Sequence, residues 1–314
     1  MWDLKRYHSL DYELKKMYGQ KIYKLSINGG MSCPNRDGTI DTRGCIFCSA
    51  GGSGDFATSS GQSITQQLED AKNLVADKII APKDAKYIAY FQAYTNTHAP
   101  ISYLRTIFME ALVHPEVVIL SIATRPDCLS DEVLELLNEL NLIKPVWIEL
   151  GLQTIHEQTS EFIRRGYPLS VFENQIHRLH QINIPVIVHT ILGLPKETKH
   201  DMLMTMEYIS RLPIQGIKLQ LLHILKGTDL GTLYENGLVS KVLSLEEYAD
   251  IVISCLELLP DHIIIHRITG DGPKKLLLAP KWSGNKKLVL NHIHKEMKER
   301  DTYQGKYSHR HRYS

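Results

Sequence analysis

The sequence has almost no surplus charge. Its 36 Lys and Arg face 35 Asp and Glu, for a formal net charge of +1. That total gives no reason to expect attraction to nucleic acid or acidic lipid. No apolar run approaches the roughly 18–20 residues of a membrane span, so no membrane partner is expected. The opening Met1-Trp2-Asp3-Leu4-Lys5-Arg6 lacks the apolar core of an export signal. Cysteine is scarce and odd in number, five in 314 residues. Such a set argues against a disulfide framework and for metal or redox chemistry. There is no low-complexity linker and no repeat longer than a strand–helix unit. With 43% apolar and 23% charged residues, the chain reads as an ordinary globular one. The length suits one large α/β domain of roughly 200–250 residues with extensions.

The small net charge hides an asymmetry. Residues 274–314 hold 11 Lys/Arg and three acids, 11 − 3 = +8. Residues 1–273 then carry 25 − 32 = −7. The chain divides into an acidic body with an N-terminal lead-in (1–273) and a basic extension (274–314). The extension reads as a helix over 284–300 followed by a disordered end from Tyr307. Such asymmetry points to a polyanionic partner.

Hydrophobic periodicity alternates between two and about 3.6. Strands are expected at 22–27, 87–91, 117–122, 146–150, 186–192 and 217–222, with a weaker seventh at 263–268. Helices are expected at 62–80, 101–113, 130–140, 156–164, 170–182, 198–211 and 244–259. Ser130 precedes two acids, and Ser244 with Glu247 forms a capping box. This alternation predicts an α/β fold with a parallel sheet and right-handed crossovers. About six units favour a partial (β/α)6 barrel of TIM type over a doubly wound sheet.

Cys33, Cys45 and Cys48 form C-x11-C-x2-C in a Gly-rich loop after the first strand. Three thiols so close invite a metal. Structural zinc needs a fourth ligand, and no Cys or His stands at finger spacing. An iron–sulfur cube on three cysteines leaves one iron open to an outside ligand. Both readings stand at this point, beside three unconnected buried thiols. Cys128 and Cys255 read as buried and inert.

The remaining polar motifs follow the strands, where an α/β barrel carries its active site. They include Gln92–Thr95, Arg125-Pro126-Asp127, Glu149 to Gln153, His189, Leu192-Gly193 and Gln220 to Thr228. Each also has a plainer reading. Arg125 and Asp127 can form a local ion pair within a turn. Glu149 in an apolar strand needs a partner, and Arg125 is one candidate. His189 suits a satisfied core position, and Gly193 suits a tight turn.

Together these strings resemble the radical S-adenosylmethionine (SAM) superfamily. In particular they resemble its bacterial Elongator-like, YhcC/YtqA-type branch. The resemblance rests on Cys33-Pro-Asn-Arg-Asp-Gly38, Phe91-Gln-Ala-Tyr-Thr-Asn96 and Thr124-Arg-Pro-Asp127. It rests also on Glu149-Leu-Gly-Leu-Gln153, Leu225-Lys-Gly-Thr228 and His266-Arg-Ile-Thr-Gly-Asp271. It implies that Cys33, Cys45 and Cys48 ligate a [4Fe-4S] cluster. The open iron would bind SAM, with Phe47 near the adenine. Gln92 and Thr95 stand where the superfamily usually has Gly-Gly-Glu for the methionine amino group. Arg125 would pair with the cofactor carboxylate, Glu149 or Gln153 with the ribose, and Leu192 and Gly193 would flank the adenine.

The implied reaction is reductive cleavage of SAM to a 5′-deoxyadenosyl radical that abstracts hydrogen. No second cluster is expected. The implied substrate is the wobble uridine of tRNA, its carboxymethylaminomethyl side chain becoming aminomethyl. Lys286, Lys287, Lys295, Lys298 and Arg300 would contact RNA phosphates, as would Lys306, Arg310 and Arg312. Tyr303 and Tyr307 would be available for stacking. In the plainer reading the same helix merely docks on the acidic body. The alternatives are a radical SAM enzyme acting on a porphyrinogen and a non-catalytic, zinc-stabilised RNA-binding barrel. A reductase or flavodoxin-type electron donor and a cytoplasmic location complete the expectations.

Overall fold

The computed structural model describes residues 2–52, 57, 60–79, 84–239, 241–270 and 272–308. Seven strands form one parallel sheet. These are β1 (Ile22–Ile27), β2 (Lys86–Phe91), β3 (Val117–Thr124) and β4 (Val146–Gln153). The others are β5 (Val186–Leu192), β6 (Gly216–Leu221) and β8 (Ile264–Arg267). Their order is β1-β2-β3-β4-β5-β6-β8, so each strand neighbours the next and the sheet curls into a half-barrel. The weaker seventh strand of the periodicity is its last member. A two-stranded antiparallel pair, β7 (Ile224–Leu225) and β9 (Leu277–Ala279), stands apart.

The crossover helices are α2 (Ile64–Val75), α3 (Ile101–Val113), α4 (Asp131–Asn141), α6 (Leu169–Gln181), α7 (Lys199–Ile209) and α9 (Leu245–Leu258). A short α5 (Glu157–Phe162) precedes α6. Their apolar stripes pack on the outer face of the sheet. Leu104, Phe108, Leu137, Phe172, Met206 and Leu256 are all fully buried in that core. The expected caps are present. Ser130 Oγ accepts from Val133 N–H, and Ser244 and Glu247 close a capping box.

Three features depart from the periodicity. β3 and β4 run past their expected ends to Thr124 and Gln153, because polar residues continue the ladder where the apolar run stops. Helices α1 (Leu10–Tyr18) and α8 (Asp229–Glu235) were not foreseen. α1 starts at the Ser9 cap, ends at Gly19 with φ of 68°, and buries only Leu14, so its stripe is weak. It packs against both sheet edges, β1 and β8, while Ser9 bridges Ile265 in parallel. α1 thus covers the two edges of the half-barrel.

α10 (Lys286–Glu299) lays Val289, Ile293 and Met297 against the body beside α9. The chain beyond it is held further than expected. Gln304 is buried, donates to the carbonyls of Pro260 (2.7 Å) and Ile263 (2.8 Å), and accepts from His8 N–H. Tyr307 N–H donates to Glu257 O at 2.9 Å. The disordered end expected from Tyr307 is therefore corrected as far as Ser308. Arg310 and Arg312 lie outside the described residues, as do Gly54 and Asp271 of the sequence motifs.

Candidate active site

The lumen of the half-barrel is built in layers, because alternate residues of each strand point inward. The lowest layer is apolar: Ile22, Ile88, Ile119, Trp147 and Ile187 cluster there with Leu14. Two residues further along each strand the character changes. β1 to β6 contribute Lys24, Tyr90, Ser121, Glu149, His189 and Lys218, and β8 contributes Arg267. All but Ser121 reach the cavity above.

Glu149 is the hub of this polar layer. Its side chain is 0% exposed. One carboxylate oxygen accepts from Lys24 Nζ at 2.7 Å and Ser121 Oγ at 2.9 Å. The other accepts from His189 Nε2 at 2.7 Å and from Lys218 Nζ. Burial opposes ionisation, but Lys218 and Lys24 outweigh it and hold the carboxyl well below its usual range. Burial, then Lys218, push His189 down to about 4, so its imidazole is neutral and its Nε2–H donates to Glu149.

Above this layer lies a cavity lined by Cys33, Cys45, Cys48, Phe47, Gln92, Thr95, Arg125, Glu149 and Gln153. Nine sequence-derived site residues, spread over 121 positions, thus meet at one place. Around the thiols the loop is pinned by side chains. Asn35 Nδ2 donates to Arg164 O at 2.7 Å and approaches Cys45 Sγ at 3.5 Å. Arg36 Nη2 donates to the carbonyls of Cys48 (2.8 Å) and Ser49 (2.7 Å). Gly52, at φ of +57°, lies so close to Tyr94 that a Cβ there would sit 2.2 Å from the ring. Tyr94 N–H donates to Gly52 O at 2.8 Å. Tyr94 and Gln153, which line this cavity, both hold positive φ, 59° and 64°, unusual for side-chain-bearing residues.

Some sequence assignments shift. Arg125 is bound to Asp127 through two bonds of 2.9 and 2.7 Å, and to Arg165 O at 3.0 Å. The local ion pair of the plainer reading is formed, and Arg125 does not pair with Glu149. Glu149 has its acceptor positions filled from within the barrel, which leaves Gln153 as the rim candidate for ribose hydroxyls. Leu192 is buried in the core, and Gly193 backs onto Leu243, so neither lines the cavity. Ile191 lines the adjoining recess instead.

Residues 42–209 match the Radical SAM superfamily, and residues 214–299 match the Radical_SAM C-terminal domain. The chain belongs to the radical SAM superfamily. It is 47% identical over 303 residues to the protein YtqA of Bacillus subtilis, covering 96% of this chain and 93% of that one. It is 38% identical to Protein YhcC of Escherichia coli, covering 87% and 86%. A segment of 57% of the chain is 25% identical to 33% of a tRNA uridine(34) acetyltransferase of Methanocaldococcus jannaschii. The fold matches that of the archaeal Methanocaldococcus infernus Elp3, with a TM-score of 0.67 and 16% identity. That match covers 90% of this chain and 64% of Elp3, so the chain spans just under two thirds of its length.

Membership makes the protein a radical SAM enzyme and sets aside the non-catalytic zinc barrel. The family implies SAM and a [4Fe-4S] cluster, and the thiols can be tested for fit. Zinc–thiolate bonds of about 2.3 Å put tetrahedral sulfurs about 3.8 Å apart. The three Sγ atoms do not all lie within 4.8 Å of one another. Among the described residues, the one three-ligand group that tight is Glu69, His114 and Glu116, elsewhere on the protein. Three thiols lining one cavity supply donors of the kind a [4Fe-4S] cluster needs. Burial pushes the Cys45 thiol up to about 11. All five cysteines are free thiols here. Burial pushes Cys128 and Cys255 up to about 12, which agrees with inert roles.

Sequence reasoning missed Lys24, Lys218, Arg165, Tyr167 and Arg267. A lysine alternating with apolar residues, as in Ile217-Lys218-Leu219, was the available signal. Arg165 is fully buried and donates to Thr154 O (2.7 Å) and Tyr167 O (3.0 Å). Tyr167 in turn donates to Gly151 O at 2.6 Å, bracing the β4 end that carries Gln153.

The buried His189 predicts a pH dependence. Unfolded histidine takes a proton near pH 6.5, whereas the folded one resists to about 4. Between those values the unfolded chain binds more protons, so stability falls as pH drops from 6.5 toward 4. His266, held low by burial, adds with the same sign. Denaturant titrations over pH 4–7 should show His189→Gln with a shallower slope than wild type, by about one proton. Equal slopes would contradict the neutral assignment.

Proposed function

We propose that this radical SAM enzyme acts on tRNA, taking the carboxymethylaminomethyl side chain of the wobble uridine to the aminomethyl form. The carboxymethyl carbon would give two electrons to SAM, which becomes methionine and 5′-deoxyadenosine, and water would release the carboxymethyl unit as glyoxylate. The observation that carries the reading is a polar, cation-rich lumen beneath three clustered thiols, in a chain with a +8 extension. The partial likeness to a tRNA uridine(34) acetyltransferase and the Elp3-like fold support it.

When bound, the cluster and SAM supply one-electron chemistry that takes hydrogen from an unactivated carbon. The chain's residues then have separable tasks. Cys33, Cys45 and Cys48 hold the cluster, with Asn35 and Arg36 fixing their loop. Phe47, Gln92, Thr95 and Gln153 position the cofactor at the strand ends. Tyr94 and Tyr167 wall the cavity from water. Body and extension divide at 273/274, and the extension faces RNA.

On α10, Lys286, Lys287, Lys295, Lys298 and Arg300 are all exposed, opposite its buried stripe. Arg300 bridges Asp250 and Glu296, and Lys295 lies 3.6 Å from Glu299. Lys287 and Lys298 have no ion pair among the described residues, which makes them the stronger phosphate contacts. No helix among the described residues is long and apolar enough to cross a membrane.

If the extension neutralises about 6–10 phosphates, tRNA affinity should fall roughly 10³–10⁵-fold between 50 and 200 mM salt. Lys287→Ala with Lys298→Ala should flatten that slope by about two phosphates. An unchanged slope would remove α10 from the interface. Nucleoside profiling of tRNA from a deletion strain tests the reading itself. Accumulated carboxymethylaminomethyl uridine supports it, and unchanged nucleosides with a metabolite accumulating instead would overturn it.

A further inference from the structure

Arg267 ends β8 and lines both the cavity beneath the thiols and the recess continuing from it. Its side chain is half-buried. Among the described residues it has neither hydrogen bond nor ion pair. A guanidinium carries five N–H donors, and leaving them idle in a recess is costly. Its neighbours cannot relieve it. Glu149, the carboxylate of this layer, is saturated by Lys24, Ser121, His189 and Lys218. Lys24 and Lys218 already flank this one carboxylate, so Arg267 is a surplus cation.

Apart from Lys24, which is bound to Glu149, the polar walls of the recess carry hydroxyls, amides and imidazoles. Ser26, Gln92, Gln153 and Gln220 line it, and Cys48 is the one cluster cysteine that reaches it. A positive fork facing hydroxyl and amide groups is shaped for a single planar anion, held through two parallel bonds. Its place in the strand layer, below the rim, suits an anion on a slender side chain. A phosphate of the RNA backbone would have to carry the ribose chain into the lumen with it.

We propose that Arg267 is the subsite for a carboxylate carried on the substrate's reacting side chain. The proposal rests on the tRNA reading and deepens it. The substrate bears that carboxylate and the aminomethyl product lacks it. Arg267 would thus favour substrate over product and aid release once the carboxylate is gone.

The test uses reconstituted wild-type protein, R267Q and R267K. Each is titrated with two anticodon stem-loops, one carrying carboxymethylaminomethyl uridine and one aminomethyl uridine. The KM for SAM is measured alongside. Wild type should prefer the carboxylate-bearing RNA by roughly 10- to 100-fold, the worth of hydrogen bonds to a charged group. R267Q should lose that preference, and R267K, with charge but no fork, should fall between.

Equal preference in wild type and R267Q overturns the Arg267 assignment while leaving the tRNA reading standing. Equal binding of both RNAs by wild type also overturns it. A raised KM for SAM in R267Q with the RNA preference intact would assign the guanidinium to the cofactor carboxylate and overturn it as well. Wild type that binds and converts neither RNA would overturn the tRNA reading and this proposal together.

Discussion

Cys45→Ala protein, reconstituted anaerobically, is expected to hold little iron and to release at least about 100-fold less 5′-deoxyadenosine than wild type. The expectation follows from where the thiol sits. Cys45 is enclosed by Asn35 and the Arg164 carbonyl, and burial pushes its ionisation up to about 11. Cys45 lines one cavity with Cys33 and Cys48, as a shared set of ligating sulfurs requires. Removing it leaves two thiols for three irons and no nearby replacement. Cys128 lies closest among the other cysteines, but it is held in the turn after Arg125. The control is Cys255→Ala, whose thiol is fully buried in the α9 core. It should lose about 1 kcal/mol of stability and keep its iron. Iron and sulfide analysis with product quantification reads both proteins. Wild-type iron content in Cys45→Ala would reject the ligand assignment.

The second large effect concerns stability. Glu149→Gln removes the carboxylate that Lys24 and Lys218 share. Lys218 is buried, which pulls its amine toward the neutral form, and Glu149 opposes that pull. Breaking a buried pair by removing one partner costs about 3–5 kcal/mol, because the other charge is left uncompensated. The midpoint of unfolding should fall by roughly 6–20 °C on that basis. The companion Lys218→Met in the Glu149→Gln background should recover part of the loss, since the stranded amine is gone. A double-mutant cycle by denaturant titration measures the coupling. Additive effects of the two substitutions would show that the pair does not act as one unit.

Much of the fold was legible because periodicity reports on burial directly. β1 and β5 have the expected limits, and six crossover helices follow from their stripes. The cysteine loop and the strand-end motifs were legible because spacing and position suffice to place them on one rim. The polar layer was not. Lys24 and Glu149 are separated by 125 positions, and Glu149 and Lys218 by 69. Alternation shows that each points inward, but their meeting depends on how far the sheet curls. For the same reason Arg125 stood as one candidate partner for Glu149, while the structure forms the Arg125–Asp127 pair that the plainer reading allowed. Leu192 and Gly193 were placed at the cofactor because they end a strand. The strand-to-α7 turn instead carries Gly193 against Leu243, a contact made across 50 positions that no local pattern records.

The layered lumen gives one half-barrel two distinct environments. The apolar floor of Ile22, Ile88, Ile119, Trp147 and Ile187 supports the charged layer from below. Floor and charged layer together keep Glu149, His189 and Lys218 in fixed rotamers. The rim residues can then differ in chemistry without disturbing the scaffold.

The account stands most directly on a single anaerobic assay. Purified reconstituted protein, a chemical reductant and SAM are mixed with tRNA bearing carboxymethylaminomethyl uridine at the wobble position, and the nucleosides are resolved by mass spectrometry. The expected result is aminomethyl uridine appearing with 5′-deoxyadenosine, both lost in the Cys33→Ala/Cys45→Ala/Cys48→Ala protein. Release of 5′-deoxyadenosine while the wobble nucleoside stays unchanged would contradict it.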